Sequence, residues 1–83
     1  MHTYDIYSTP TCGYCKQLKA VFQEMKLSYT NHDVTVSEKD LAEMQVLTDG
    51  GISVPVFVVD KGTEHQRVAQ GFDDAKWLLD HSK

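Results

Sequence analysis

Cysteine, proline and long apolar runs are all scarce in this chain. Its 83 residues contain only two cysteines, two prolines and one tryptophan. Two cysteines cannot build the multi-bridge framework of a small secreted domain, so a close pair reads as catalytic or metal-binding in a reducing compartment. No apolar run approaches the roughly 20 residues that cross a bilayer. The first residues, MHTYDIYS, show neither a basic n-region nor an apolar h-region, so no secretory leader is expected. Eight basic residues face twelve acidic ones, for a formal net charge of −4. The lysines around Lys16 and Lys19 are isolated rather than clustered, which argues against a nucleic-acid footprint. These absences point to a soluble, cytoplasmic, monomeric protein without membrane or nucleic-acid partners. No repeat, linker or low-complexity tract divides the chain, so residues 1–83 are expected to form one domain. At this length only about 60–65% of the unfolded surface is buried, which means a modest core.

The pattern that is present alternates strand and helix. Residues 3–8, TYDIYS, alternate weakly and are rich in Tyr and Ile, as in a short strand that breaks at Thr9-Pro10-Thr11. From Gly13 to about Lys26, Leu18, Val21, Phe22 and Met25 recur at helical spacing. Residues 27–34 read as a second strand. Ser37 is placed to cap a helix through Leu41, Met44 and Leu47, with Asp40 where a capping-box acid stands, and Asp49-Gly50-Gly51 ends it. The nearly continuous apolar run VPVFVVD, residues 54–60, suits a strand buried on both faces. Lys61-Gly62 is turn chemistry, and residues 65–69 fit an antiparallel partner. Asp73 or Asp74 would cap a last helix over residues 75–82, with Ala75, Leu78 and Leu79 inward. The order β-α-β-α-β-β-α makes an α/β chain with a four-stranded mixed sheet flanked by helices. The expected core is Ile6, Leu18, Val21, Phe22, Met25, Leu41, Met44, Leu47, Val56, Val58 and Leu78. Trp77 and Phe57 are expected to pack with it, and the four histidines to be surface residues.

The two cysteines, Cys12 and Cys15, stand in STPTCGYCKQLK, directly after a strand and at the start of a helix. The first turn of a helix leaves N–H groups without partners and carries about half a positive charge, so both favour a thiolate at Cys12. Cys15, three residues on, shares the helix face but lies deeper. An exposed sulfur that attacks and a shielded one that resolves the mixed disulfide follow from that placement. Gly13 gives the turn freedom, and Tyr14 is placed to flank an incoming substrate. A zinc site needs four ligands, and His2, His32, His65 and His81 are scattered singly, so no metal is expected.

IYSTPTCGYCKQLK, followed by SVPVFV and then by GFDD, resembles the glutaredoxin family of the thioredoxin-like fold over nearly the whole chain. The resemblance implies a cis bond between Val54 and Pro55, where the residues alone would favour trans. It further implies that the Val54 backbone presents N–H and C=O to glutathione or an extended peptide. The segment Gly71, Phe72, Asp73 would grip the γ-glutamyl end, since a helix N-terminus offers N–H groups to a carboxylate and an Asp can take the ammonium. Phe72 could alternatively serve as a docking contact for a reductase.

Three departures bear on the electron source. Thr9, Ile52, and Leu41 or Ala42 occupy positions where many relatives carry basic or amide side chains for the glycine carboxylate of glutathione. A charged contact of that kind contributes about 1.5–3 kcal/mol when desolvated and less when exposed. The expected function is thiol–disulfide oxidoreduction, with Cys12 as nucleophile, Cys15 resolving and glutathione as co-substrate. One alternative is an NrdH-type redoxin reduced by thioredoxin reductase and donating electrons to ribonucleotide reductase. Another is a glutathione-dependent [2Fe–2S] carrier, for which Gly13 in place of the usual proline removes a rigid ring.

Overall fold

The computed structural model describes residues 2–51 and 54–81. The elements in chain order are β1 (Tyr4–Ser8), α1 (Gly13–Glu24), β2 (Thr30–Asp33), α2 (Glu38–Leu47), β3 (Val56–Val59), β4 (Arg67–Gln70) and α3 (Phe72–Asp80). The strands form one mixed sheet in the order β2-β1-β3-β4. β1 and β2 run parallel, as the crossover through α1 requires, and β3 lies antiparallel to both β1 and β4. This is the α/β arrangement expected from the sequence. Among the described residues no helix is long and apolar enough to cross a membrane.

Alternation along β1 and β3 divides the core into two layers. Ile6, Phe57 and Val59 face α1 and α3, where they meet Leu18, Phe22, Ala75, Leu78 and Leu79. Tyr7, Val56 and Val58 face the other way, toward Met44 of α2. All four residues of β3 are buried, which is why its sequence is continuously apolar rather than alternating. Phe22 makes edge-on contacts with Tyr4, Tyr29 and Phe57, at centroid distances of 5.2–5.5 Å.

Several expectations are corrected. Val21, Met25, Leu41 and Leu47 line the core only partly, whereas Tyr7, Cys15, Val59 and Ala69 are buried members of it. Trp77 is 59% exposed. It lies on the outer side of α3, since Ala75, Leu78 and Leu79 already supply the inward face, and its ring stacks on His81 at 4.1 Å. The last helix begins at Phe72 with Gly71 at its cap and no side-chain cap bond, so Asp73 and Asp74 lie within its first turn. Ser82, in its expected span, lies outside the described residues.

His32 is no ordinary surface residue. Its ring stacks on Tyr7 at 4.4 Å, with Nε2 2.6 Å from Asp5 and Nδ1 3.1 Å from Asp40. Asp40 therefore turns to His32, while its backbone N–H donates to Ser37 Oγ as the cap of α2. Beside it the Tyr7 hydroxyl donates to Glu43 at 3.0 Å and accepts from Lys61 at 2.9 Å. Burial opposes the charge on Lys61, but Glu43 and Tyr7 outweigh it and hold the ammonium above its ordinary range. α2 is thus fixed to the sheet by Met44 and by two polar links.

Candidate active site

The loop Thr9-Pro10-Thr11 carries the chain off β1, and the Cys12 N–H donates to the Thr9 carbonyl at 3.3 Å. Cys12 then takes the extended backbone of an N-cap, φ −85° and ψ 112°. Its carbonyl closes the first helical turn by accepting from the Lys16 N–H. The cap side chain is the sulfur itself: Cys12 Sγ accepts the Cys15 N–H at 3.1 Å. An N-cap side chain ordinarily bonds the N–H of the second or third helical residue, and Cys15 is the third. The two-residue gap between the cysteines is therefore the capping interval, so one atom both ends the helix and stands at its positive end.

The two thiols differ in environment. Cys12 is partly exposed, and Cys15 is fully buried. Burial first, then the contact with Cys12, pushes the Cys15 thiol up to about 12, against the opposing effects of the Thr9 backbone and Lys19. Lys16 and Lys19, weighed from the sequence as substitutes for the absent basic contacts to glutathione against a reading as solvated charges, are not among the residues that line the groove described below; Lys16 is exposed and Lys19 half-buried.

The segment before β3 returns to the thiols. The Val54–Pro55 bond is cis, as the family resemblance implies. The Val54 carbonyl lies 3.9 Å from Cys12 Sγ, in position to accept from the thiol. Pro55 is buried, and its carbonyl accepts the Gly71 N–H at 2.8 Å, which ties this segment to the start of α3. Gly71 has φ 89° and ψ 164°, a conformation almost confined to glycine. An open groove of about 280 Å³ results, lined by Tyr14, Val54, Pro55, Gly71, Phe72 and Asp73. All six residues singled out from the sequence as substrate contacts thus lie around one cavity. Tyr14 is 62% exposed, and its ring lies 6.0 Å from that of Phe72 at a shallow tilt, forming one wall. At the other end, the uncapped first turn of α3 offers N–H groups beside the exposed Asp73 carboxylate.

No basic side chain lines this groove among the described residues. Thr9 is half-buried, Leu41 packs under α2 in the second core layer, and Ala42 is exposed. Ile52 lies outside the described residues. Among the described residues no group of three or more His, Cys, Asp or Glu side chains could hold a metal ion.

The glutaredoxin family model matches residues 5–63. A curated relative, the uncharacterized glutaredoxin-like 8.6 kDa protein in the rubredoxin operon of Clostridium pasteurianum, is 34% identical over 55 residues, covering 66% of this chain and 72% of its own length. The solution structure of a glutaredoxin from Brucella melitensis superposes with a TM-score of 0.63 at 25% identity, over 98% of this chain and 82% of that one. The crystal structure of a mutant thioredoxin-like protein reaches 0.77 at 23% identity, over 96% of this chain and 97% of that one. This last likeness bears on the fold alone.

Proposed function

We propose that this chain, which belongs to the glutaredoxin family, is a dithiol thiol–disulfide oxidoreductase in which Cys12 attacks and Cys15 resolves. The observation that carries this reading is the Cys15 N–H donating to Cys12 Sγ at the head of α1, with the Cys15 sulfur buried behind it. A sulfur that already accepts an N–H at a helix N-terminus has its anionic form solvated by the protein. The Cys12 thiolate attacks one sulfur of a substrate disulfide, a new S–S bond forms, and the other substrate sulfur leaves as a thiolate. The Cys15 sulfur, after losing its proton, attacks Cys12 in turn. The second substrate thiolate leaves, and Cys12 and Cys15 end joined as a disulfide. Two electrons have passed from the protein to the substrate, and an external thiol or a reductase returns them. The groove receives the substrate backbone at Val54, as an added strand, while Tyr14 and Phe72 cover the neighbouring side chain.

Family membership, and the acceptor and donor groups at the start of α3, support glutathione as the reductant. A second reading, an NrdH-type redoxin served by thioredoxin reductase, is favoured by the groove itself, whose described lining carries Asp73 and no cation. Ribonucleotide reductase is its electron acceptor in that reading.

Wild type should reduce both a glutathionylated peptide and a protein disulfide. Cys15→Ser should keep the first reaction and lose the second, and Cys12→Ser should lose both. Retention of either activity in Cys12→Ser would refute the assignment.

A further inference from the structure

The groove beside Cys12 offers a substrate more than a backbone to pair with. Val54, Pro55 and Gly71 give it shape and main-chain groups, while Tyr14, Phe72 and Asp73 supply the side chains that a substrate residue meets. Tyr14 stands in the first turn of α1 and is largely exposed. Phe72 opens α3, packs in part against the first core layer and also lines the groove. The two ring centroids lie 6.0 Å apart with their planes 30° from parallel, so together they make one aromatic wall. The face of such a ring carries negative potential and attracts a guanidinium or ammonium within about 6 Å of its centroid.

Asp73, the next residue of α3, adds a formal negative charge to the same groove. Its side chain is exposed, and among the described residues no hydrogen bond or ion pair engages it. Asp74 follows it in the same helical turn. No basic side chain among the described residues lines the groove to offset this charge, and Lys16, exposed on α1, stands outside the lining. The chain as a whole carries a formal net charge of −4. Ring faces, carboxylate and net charge therefore all favour a cation at this place.

We infer that the protein is selective for disulfides in basic peptide segments: an arginine or lysine beside the substrate cysteine lies along the Tyr14–Phe72 wall with its charge at Asp73. The inference rests on the oxidoreductase reading above and names its substrate class. The Val54 carbonyl lies 3.9 Å from Cys12 Sγ, so a strand bonded at Val54 brings its cysteine to that sulfur and a flanking residue into the groove. Arginine suits the wall better than lysine, since its planar guanidinium both stacks on a ring and pairs with a carboxylate through two bonds. Glutathione, a net anion, matches this wall less well. The exchange itself is unchanged: the Cys12 sulfur bonds to the substrate sulfur, and the other sulfur leaves with the electron pair. The cation only speeds encounter and holds the complex in place.

Peptides that differ only in the residue beside their cysteine, either Arg, Gln or Glu, and that carry a pyridyl disulfide test this. Attack by Cys12 on the peptide sulfur releases a chromogenic thione, read by stopped flow, and reaction of each peptide with free dithiothreitol corrects for its intrinsic reactivity. After that correction the Arg peptide should react roughly three- to tenfold faster than the Gln peptide. The Glu peptide should be the slowest, and added salt should compress the series. Asp73→Asn should reduce the preference for Arg, and Asp73→Lys should reverse the order of Arg and Glu. Phe72→Leu keeps an apolar side chain without the ring and should weaken the preference without reversing it. Glu24→Gln removes the same charge at the far end of α1 and should leave the series unchanged. Each comparison is a ratio within one variant, so a general loss of activity does not imitate the result. Equal corrected rates in wild type, or Glu24→Gln flattening the series as much as Asp73→Asn, overturns the inference and leaves the oxidoreductase reading standing. A wild type that reacts with every peptide no faster than the free dithiol removes that reading, and the inference with it.

Discussion

The Cys15 backbone N–H donates to the Cys12 sulfur across 3.1 Å, so the residue proposed to resolve the mixed disulfide also holds in place the helix-capping sulfur proposed to form it. The same step along the helix that supplies this bond turns the Cys15 side chain into the core, where its thiol is pushed up to about 12, chiefly by burial. One helical turn thus separates a partly open sulfur from a closed one.

Alkylation should read that asymmetry directly. Brief treatment of the reduced, folded protein with iodoacetamide at mildly alkaline pH is expected to add one carbamidomethyl group, at Cys12. Cys15 should react only after denaturation. Peptide mapping by mass spectrometry distinguishes the sites, and equal labelling of both in the folded protein would count against the assignment.

Packing makes a second expectation. Phe22 is fully buried among Tyr4, Tyr29 and Phe57, so Phe22→Ala should cost about 3–5 kcal/mol. Trp77, despite its size, lies on the outer side of α3 against His81. Trp77→Ala should cost less than about 1 kcal/mol. Urea unfolding of the two variants measures the difference, and similar losses would contradict the layer assignment.

That contrast shows what was legible in the sequence. The order of elements, the double burial of β3 and the placement of Cys12 at the head of α1 all follow from short-range patterns. Helical spacing, a continuous apolar run and the break at Thr9-Pro10-Thr11 suffice for them. The site groove was legible only through family resemblance, because Val54, Gly71 and Phe72 carry no chemistry that would select them alone. Trp77 was misplaced because a large apolar residue in a short helix has two faces to choose from, and Ala75, Leu78 and Leu79 had already filled one. His32 was missed for a different reason. Its partners Asp5 and Asp40 lie on β1 and α2, and only the folded register brings them to one ring. Gly71 was passed over as the cap of α3 because Asp signals an N-cap in sequence, whereas here a left-handed glycine makes the turn.

Acid should destabilise the fold through a few identifiable carboxylates. Lys61, then the Tyr7 hydroxyl, lowers Glu43; Thr35 lowers Asp33; His2, then the Thr3 N–H, lowers Asp60. A group depressed in the folded state contributes its stability above its unfolded value. That contribution is lost as pH falls through the depressed one. From these carboxylates, stability is therefore expected to be level between about pH 5 and pH 8 and to fall below about pH 4.5. Lys61→Met should lower the plateau and flatten the acid limb, since Glu43 loses its first partner. Thermal melts across that range test this, and an acid limb as steep in the variant as in wild type would contradict it.

Restoring a cation near the groove tests the two readings of the reductant. Thr9→Lys should lower KM for glutathione several-fold, in keeping with the modest worth of a partly exposed ion pair. It should leave turnover with thioredoxin reductase unchanged. No effect on glutathione would mean that position 9 is not within reach of its carboxylates.

The most direct measurement is NADPH consumption during reduction of a protein disulfide, with glutathione and glutathione reductase in one series and thioredoxin reductase in the other. Wild type is expected to turn over with at least one of the two systems, and Cys12→Ser with neither. Wild type inert in both series, or Cys12→Ser as active as wild type, would contradict thiol–disulfide oxidoreduction at Cys12.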